Sequence, residues 1–403
     1  MRRRVKITGI GPVTPAGIGR EAFFKGINEP VSRVRAIKRF DPEAGQFMGA
    51  EITDFDISEF APLENPRRLS RHTQFGLAAA ILALNDAGLG STDLNRMNPA
   101  VVTGTSIMDI DRIGRTVRAV ALKGPRHAIA SAIYETSVLN VAGKIASHLE
   151  LSARMISVQT SCCSGLDAIG QAYDLIADGE CDLAIAGGSE APLSLHPMLE
   201  FNAADLSPSN SEEIPRSCRP FDLWRSTGVL GEGASMLILE PETSPRPAYA
   251  WISGYGYSND GTGLPGEGIA NAAKIALANS SHPTADVDFI NAWAPGHRTI
   301  DTNEAAALKA IFGSRLSEIC AVSIKGAIGT PLAASGAIQV SSTALSMQKG
   351  IVPPTVNWEF PDPRCPLNLS NSPRYFTPQI AIVNSHGLSG SNSVLVMEKA
   401  CPR

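Results

Sequence analysis

The sequence predicts a layered α/β fold composed of two related halves. Short runs rich in β-branched residues, such as Pro99 to Gly104, alternate with longer helix-like segments, such as Gly165 to Asp178. This alternation is typical of sheets whose faces are covered by helices. A proline- and serine-rich stretch at 241–247 interrupts the alternation. We therefore expect one α/β unit over residues 1–245 and a second over residues 246–403.

A weak internal repeat supports the division into two halves. The strand-like segment Val5 to Gly11 is echoed by Ala250 to Gly256, and each runs into a glycine turn. The closing segment Gly231 to Glu240 is likewise echoed by Ser389 to Glu398. Because the two matches occur in the same order at both ends of both halves, they favour a duplicated unit over chance similarity between apolar strands.

The composition restricts the classes of function. The chain has 403 residues, of which 43% are hydrophobic and 18% charged, enough for a large buried core. A formal net charge of -4 argues against a nucleic-acid partner. We recognise neither a signal peptide nor an apolar stretch of membrane-spanning length, so we expect a cytoplasmic protein without a membrane partner. The seven cysteines lack the repeated short spacings of a disulfide or metal framework, and we expect no metal site.

One pair of cysteines stands at a turn between a predicted strand and a predicted helix. Met155 to Thr160 has the pattern of a buried strand, the helix-like segment begins at Gly165, and Cys162 and Cys163 lie between them. The N-terminus of a helix favours a thiolate and lowers the pKa of a thiol there. Such a thiolate attacks thioesters. A buried cysteine that packs as a small hydrophobic residue is the alternative.

The same turn carries a family resemblance. The segment Thr160 to Gly165 reads Thr-Ser-Cys-Cys-Ser-Gly and resembles the Thr-Ala-Cys-Ala/Ser-Ser/Thr-Gly signature of β-ketoacyl synthases. Further segments match the family in the same order along nearly the whole chain: Thr8–Gly17, Ala186–Glu190, Cys218–Asp222, Gly231–Gly233, Ser323–Gly329, Val352–Asn357 and Asn384–Gly390. The resemblance implies a thiolase-like fold, with two duplicated α/β halves in an α-β-α-β-α arrangement, and it implies Cys162 as the nucleophile.

The chain departs from the family at two catalytic positions. Family members that condense malonyl units use two histidines as donors to the negative charge that develops on the thioester carbonyl oxygen. Trp293 follows the Asn-Ala dipeptide where the first histidine is expected, and Thr330 follows Gly329 where the second is expected. Neither side chain is a cationic acid, so decarboxylative condensation should be severely weakened. Trp293 also fits a simpler role, which is to fill the space of the lost histidine.

Other features of the family site are retained or altered. The resemblance implies that Lys325 is the active-site lysine, that Glu304 is the acidic residue of the site, and that the backbone N–H groups of Cys162 and Leu388 form an oxyanion hole. His386 replaces a phenylalanine of the glycine-rich loop and is a candidate base for Cys162, or else a packed residue. His297, four residues after Trp293, is a second candidate only if its loop is rebuilt.

Three other patterns have simpler explanations. Gly9 and Gly11 follow a strand start, but Thr14 replaces the third glycine of a dinucleotide fingerprint. Asp109, Asp111 and Arg112 are expected in a solvated loop rather than at a metal. The basic run Arg67-Arg68-Leu69-Ser70-Arg71-His72 is expected at a surface helix start, and the resemblance suggests a docking role toward an acidic acyl carrier protein.

Three functions are consistent with this pattern. The first is a chain-length-factor-like subunit of type II polyketide or fatty acid synthesis, partnering an active ketosynthase. Such subunits lack both histidines but usually also lack the cysteine that this chain keeps. The second is a Cys162-dependent acyltransferase that moves an acyl group from acyl carrier protein or coenzyme A without decarboxylation. The third is a condensing synthase with a rebuilt site.

Each of the three functions implies the same ligand and a dimer. We expect no bound cofactor other than the phosphopantetheine arm that carries the acyl substrate. Proteins of this fold resemble one another in pairing through a continuous central sheet. The sequence leaves open whether the second subunit is a ketosynthase, in a heterodimer, or a second copy of this chain.

Overall fold

The computed structural model describes residues 2–38, 46–208 and 211–400. The strands are β1 (Val5–Thr14), β2 (Gly17–Ile18), β3 (Val34–Ile37), β4 (Phe47–Ala50), β5 (Pro99–Gly104), β6 (Arg154–Val158), β7 (Leu183–Glu190), β8 (Gly233–Pro241), β9 (Ala250–Asn259), β10 (Phe289–Asn291), β11 (Cys320–Val322), β12 (Ile351–Val352), β13 (Arg374–Tyr375), β14 (Ile380–His386) and β15 (Ser391–Lys399). The α-helices are α1 (Arg20–Asn28), α2 (Arg71–Ala87), α3 (Ser91–Leu94), α4 (Ile110–Lys123), α5 (Ala132–Glu135), α6 (Asn140–His148), α7 (Ser164–Ala177), α8 (Leu195–Ala203), α9 (Ile269–Ser280), α10 (Arg298–Phe312), α11 (Lys325–Ile328) and α12 (Ser335–Lys349). Short 3₁₀ turns lie at Ile57–Glu59, Pro66–Arg68, Pro125–His127, Ile214–Arg216, Thr284–Asp286, Gly313–Ser317 and Leu332–Ala334.

The main sheet has the symmetry that the internal repeat predicts. Its strand order is β11-β10-β14-β15-β9-β1-β8-β7-β5-β6, with β2 attached to β1. Strands β1 and β9 form the central antiparallel pair. On each side of this pair, the next two strands run antiparallel to their inner neighbour, and the two strands beyond them run parallel to theirs. The two halves therefore have the same topology, and the predicted duplicated α/β fold is confirmed.

Glycines in the two central strands allow a helix to cross each strand closely. A Cβ atom on Gly11 of β1 would lie 2.0 Å from the carbonyl oxygen of Ala79 in α2. A Cβ atom on Gly256 of β9 would lie 2.3 Å from the carbonyl oxygen of Ala272 in α9. Gly11 and Gly256 are thus positions of close packing between a strand and a helix. Gly9 and Gly11, the two glycines of the incomplete dinucleotide fingerprint, pack against α2 instead of cradling a phosphate.

Two helices form the layer between the halves. Both α7 and α12 contact strands of each half, and they also contact each other. Residues 335–347 of α12 are all buried, as expected for a helix surrounded by protein. Helix α2 covers the outer face of β1 and β8, and α9 covers the outer face of β9 and β15. This gives the five layers that the resemblance implies, with Cys162 at the start of a central helix.

Substitution of Gly11 by alanine should destabilise the fold. The added methyl group meets a backbone carbonyl that cannot rotate away, and overpacking of this kind costs about 1–3 kcal/mol or more. We expect the free energy of unfolding, measured by urea denaturation, to fall by at least about 2 kcal/mol. Gly143→Ala in α6 is the control, because its Cβ atom meets nothing within 4 Å and alanine favours a helix. Equal stability of the two variants would contradict the packing argument.

Candidate active site around Cys162

A strained turn presents Cys162 at the start of α7. Strand β6 ends at Val158, and Ser161 then adopts a left-handed backbone conformation with φ of 58°. Cys163 is the N-cap residue, and the Ser164 hydroxyl oxygen accepts a hydrogen bond from the Thr160 N–H at 2.9 Å. This strand-turn-helix order is the one predicted from the sequence, and Cys162 lines a cavity. The strand itself was expected to be buried, but only Val158 of β6 is, because β6 lies at the edge of the sheet.

The environment of the thiol opposes ionisation. Burial raises the pKa of Cys162 to about 11, which is opposite to the lowering expected from a helix N-terminus alone. The Ser161 hydroxyl and the backbone N–H groups of Leu388 and Cys162 lower the pKa, but desolvation is the larger effect. The two backbone N–H groups named for the oxyanion hole therefore both act to lower the pKa of this thiol.

A small cavity of about 40 Å³ collects most of the residues singled out in the sequence. Such a volume suits a carbonyl group and few further atoms. Its lining includes Cys162, Trp293, His297, Thr330, His386 and Leu388. Most of the remaining lining is apolar, for example Phe201 and Leu332. The nucleophile candidate and both replacements of the family histidines thus share one cavity.

Glu304 lies behind the cavity wall and fixes its backbone. The buried carboxylate accepts hydrogen bonds from the N–H groups of Trp293 at 2.8 Å and Ala294 at 2.7 Å. It also accepts one from the side-chain amide of Asn384 in β14. Burial raises the pKa of Glu304, and these donors lower it. The residue acts on the loop after β10, and it is absent from the cavity lining.

Lys325 is also held behind the wall. Its ammonium nitrogen donates to the Gln339 side-chain oxygen at 2.9 Å and lies 4.9 Å from the centroid of the Trp293 ring. Burial lowers the pKa of Lys325 to about 7, while the negative charge of Glu304 opposes that shift. Trp293 therefore stands between this lysine and the space beside Cys162.

Sequence reasoning missed two polar residues that complete this network. Gln339 on α12 donates to the carbonyl oxygen of Ala292 at 2.9 Å while it accepts from Lys325. Asp301 on α10 accepts from the N–H of Gly296 at 3.2 Å, and burial raises its pKa to about 7. Two features of the sequence could have indicated them. Gln339 lies in a helix of mostly small and apolar residues, and Asp301 precedes Glu304 by one helical turn.

His297 lines the cavity, and its role as a substitute for the missing histidine stays a prediction. It is the N-cap residue of α10, and its Nδ1 atom accepts hydrogen bonds from the N–H groups of Thr299 at 3.2 Å and Ile300 at 3.4 Å. An accepting Nδ1 places the proton on Nε2. Burial lowers the pKa of His297, so the ring is a neutral donor.

His386 lines the same cavity and is also neutral. Its Nδ1 atom lies 3.0 Å from the side-chain oxygen of Asn392, an acceptor, so the ring proton is on Nδ1 and Nε2 is unprotonated. Burial lowers the pKa of His386, although Asn392 and the charge of Asp260 oppose the shift. This protonation state is compatible with a base, and its catalytic role stays a prediction.

The basic run divides between surface and interior. Arg67 and Arg68 are exposed, whereas Arg71 donates to the buried carboxylate of Glu232 at 2.7 Å and His72 is buried. The expected surface patch of four basic residues is therefore reduced to two.

The acidic residues near α4 have structural partners. Asp109 caps α4 by accepting from the N–H of Arg112 and also pairs with its guanidinium, and Asp111 pairs with His196. Arg112 is buried, in contrast to the solvated loop that we expected. Within the described ranges, no cluster of three or more His, Cys, Asp or Glu residues is arranged to hold a metal ion.

Comparison with known proteins agrees with the fold. The N-terminal domain of the β-ketoacyl synthases matches residues 2–244, and their C-terminal domain matches residues 249–359. This chain belongs to the β-ketoacyl synthase family, as the sequence motifs predicted.

Three proteins illustrate the similarity. The ketoacyl synthase alpha subunit of the tetracenomycin polyketide synthase from Streptomyces glaucescens is 31% identical over 98% of this chain and 97% of its own length. The structure of the ishigamide ketosynthase/chain length factor superposes with a TM-score of 0.92 and 28% identity over 100% of both chains. The structure of a type II polyketide synthase acyl-carrier protein in complex with its ketosynthase contains a chain that superposes with a TM-score of 0.90. The two chains are 28% identical, and the match covers 99% of this chain and 100% of that chain.

The thiol of Cys162 should react slowly near neutral pH. Because its pKa is about 11, the thiolate fraction and the rate of alkylation by iodoacetamide should rise about tenfold per pH unit between pH 7 and 9. Mass spectrometry of the Cys162 peptide measures the rate, and Cys162→Ala identifies the signal. A rate that is already constant above pH 7 would contradict the raised pKa.

Proposed function

We propose that this chain is a non-condensing, chain-length-factor-like subunit of a type II polyketide or fatty acid synthase. The observation that carries the proposal is the identity of the two residues opposite Cys162. Trp293 and Thr330 occupy the positions of both family histidines, and neither can become cationic. Each missing donor typically costs about a hundred- to a thousandfold in rate.

The remaining ionisable groups do not replace the histidines. His297 and His386 are neutral, and Lys325 is held on Gln339 behind the Trp293 ring. Decarboxylation of a malonyl thioester leaves negative charge on the thioester oxygen, and this cavity offers it only uncharged donors. The raised pKa of Cys162 further disfavours the nucleophile.

The surface at the open edge of the main sheet supports pairing with a second subunit. Strand β6 has a neighbour on one side only within the described part of the chain, and Met155 on it is exposed. The carbonyl oxygen of Val138 accepts a hydrogen bond from Ser157 of β6, which ties the adjacent segment to this edge. That segment carries the exposed apolar side chains of Ile133 and Tyr134.

An acyl carrier protein is the other partner that we propose. Arg67 and Arg68 are exposed and stand side by side just before α2, so they can meet an acidic surface. The arm of such a carrier would deliver an acyl thioester to the cavity.

Acyl transfer by Cys162 is the second candidate function. The N–H groups of Leu388 and Cys162 favour it, because both lower the pKa of the thiol and an oxyanion hole serves transfer without any histidine. Stable acyl adducts on the wild-type chain, lost in Cys162→Ala, would support this candidate over a subunit that has no acyl-enzyme stage.

Decarboxylation should be restored only by replacing the cavity donors. With malonyl-acyl carrier protein, we expect wild-type carbon dioxide release at least about a thousandfold below that of an intact ketosynthase, given two missing donors. The double variant Trp293→His/Thr330→His should release carbon dioxide faster than wild type, and Trp224→His on the surface should not. Rapid decarboxylation by the wild-type chain would refute the proposed function.

A charged side chain introduced beside the open edge of the main sheet should abolish pairing with a ketosynthase subunit. Co-expression with an intact type II ketosynthase should give a heterodimer by native mass spectrometry, because apolar side chains at the edge become buried. Ile133→Asp should dissociate it by placing a charge in that interface. Tyr375→Asp, at a more exposed position on the other half, is the control. A homodimer that excludes the ketosynthase would contradict the partner role.

A further inference from the structure

His386 supplies an unprotonated ring nitrogen to the cavity around Cys162. Within the described residues, the titratable side chains of the cavity lining are those of Cys162, His297 and His386. Nδ1 of His297 accepts two backbone N–H groups, so its Nε2 atom already carries the proton. Nε2 of His386 is unprotonated and has no hydrogen-bond partner in the described part of the chain. It keeps accessible surface, unlike Nε2 of His72, which is buried without a partner.

The chain on both sides of His386 contacts Cys162 or acts on it. Ser385, the residue before His386, donates from its hydroxyl to the carbonyl oxygen of Cys162 at 3.3 Å. Leu388, two residues after His386, lowers the pKa of the Cys162 thiol through its backbone N–H. The cavity that both side chains line, of about 40 Å³, holds only a few water molecules. A proton can therefore pass from Cys162 to His386 directly or through one water molecule.

An asparagine fixes the ring of His386. Asn392 lies opposite His386 in the ladder of β14 and β15, and its side-chain oxygen accepts the Nδ1 proton at 3.0 Å. The amide nitrogen of Asn392 donates to Asp260 at 2.7 Å and to the carbonyl oxygen of Gly390 at 3.0 Å, which fixes the orientation of the amide. Cysteine hydrolases orient their base histidine through an asparagine in the same way.

The resting state of the thiol requires such a base. Burial keeps Cys162 protonated near neutral pH, so the sulfur must lose its proton as it attacks a carbonyl carbon. The charge that acts on His386 is that of Asp260, which follows β9 and whose Oδ2 atom lies 3.9 Å from Nδ1. In the cavity, His386 shares the lining with Cys162 and His297. Burial outweighs Asp260 and keeps the ring neutral, so it can accept a proton.

We propose that Cys162 and His386, with Asn392 as a positioning residue, hydrolyse short acyl thioesters. The inference rests on the acyl-transfer candidate of the proposed function, because it needs an acyl group on Cys162. It goes further in naming the base and the acceptor, which is water. The small cavity favours both a short acyl group and water, since it has room for only a few atoms. Such an activity removes acyl groups from a carrier arm and involves no decarboxylation.

Hydrolysis takes place in two steps, each of which returns the proton. In the first, the sulfur of Cys162 bonds to the acyl carbon and its proton moves to Nε2 of His386. The bond from the acyl carbon to the carrier sulfur breaks, and that sulfur takes the proton. In the second, a water oxygen bonds to the acyl carbon while Nε2 takes a water proton. The bond to Cys162 breaks, its sulfur regains the proton, and the products are a carboxylic acid and a free thiol.

Acetate release from S-acetyl-pantetheine by the wild-type chain tests the inference. Proton NMR distinguishes acetate from the thioester, and Cys162→Ala gives the background rate. Each chain should release more than one acetate. The rate should be nearly constant from pH 7 to 9, where His386 is neutral, and should fall in acid, because the pKa of His386 lies below its ordinary value. Iodoacetamide instead alkylates the thiolate already present in the resting chain, so its rate rises over this range.

Variants of the two histidines and of Asn392 separate catalysis from folding. His386→Gln should lower the rate about a hundred- to ten-thousandfold, and the residual rate should rise about tenfold per pH unit because it depends on thiolate. His72→Gln should leave the rate unchanged, since His72 is equally buried and neutral but outside this cavity. Asn392→Asp should move the acid fall to higher pH, because a carboxylate at Nδ1 raises the pKa of His386. Misfolding would lower the rate of that variant without moving its profile.

The outcomes separate this inference from the proposed function. No acetate release by the wild-type chain, or an acyl group that stays on Cys162, would overturn the hydrolase inference. A wild-type rate that rises about tenfold per pH unit from pH 7 to 9, or full activity of His386→Gln, would also overturn it. The non-condensing role would stand in each case, since it depends on the absence of carbon dioxide release. Decarboxylation by the wild-type chain would refute that role whatever the acetate assay shows.

Discussion

The candidate site depends on one buried carboxylate. Glu304 accepts the N–H groups of Trp293 and Ala294 and the side-chain amide of Asn384, and so joins the loop after β10 to β14. Its burial would be costly without these donors and the nearby charge of Lys325. Trp293, whose backbone Glu304 holds from behind, lines the same cavity as Cys162. The side chain at position 293 therefore contributes directly to the chemistry of the cavity.

Polar side chains are present behind the cavity wall, whereas the two positions where the family histidines are expected carry other residues. Lys325, Gln339 and Asp301 keep a polar network behind the wall, whereas the wall itself presents an indole and a hydroxyl. A network that supports donors around Cys162 has little purpose if the cavity binds nothing. Retention of Cys162, with two backbone N–H groups that lower the pKa of its thiol, agrees with an acyl group that is held. The absence of a cationic acid agrees with one that is not decarboxylated.

Part of the site was predictable because it lies in short motifs. Cys162, Trp293 and Thr330 were singled out from three short motifs, and the structure brings them to one cavity. The role of His297 was not predictable, because its tautomer depends on capping the helix that follows it. Arg71 and His72 were expected at the surface, but Glu232, 161 residues away from Arg71 in the sequence, draws Arg71 inward. Such long-range pairs leave no local signal.

The sequence by itself determined the duplicated α/β fold, the family and the position of the candidate nucleophile. These follow from periodic apolar runs, from repeated glycines such as Gly11 and Gly256, and from motifs read over a few residues. Only the tertiary structure decided the protonation of the site. A helix N-terminus lowers the pKa of a thiol, and this effect can be predicted from the local sequence. Burial beside Trp293 has the larger effect and raises the pKa of Cys162 to about 11. Desolvation is the sum of contacts from many segments, and no single segment of the sequence contains it.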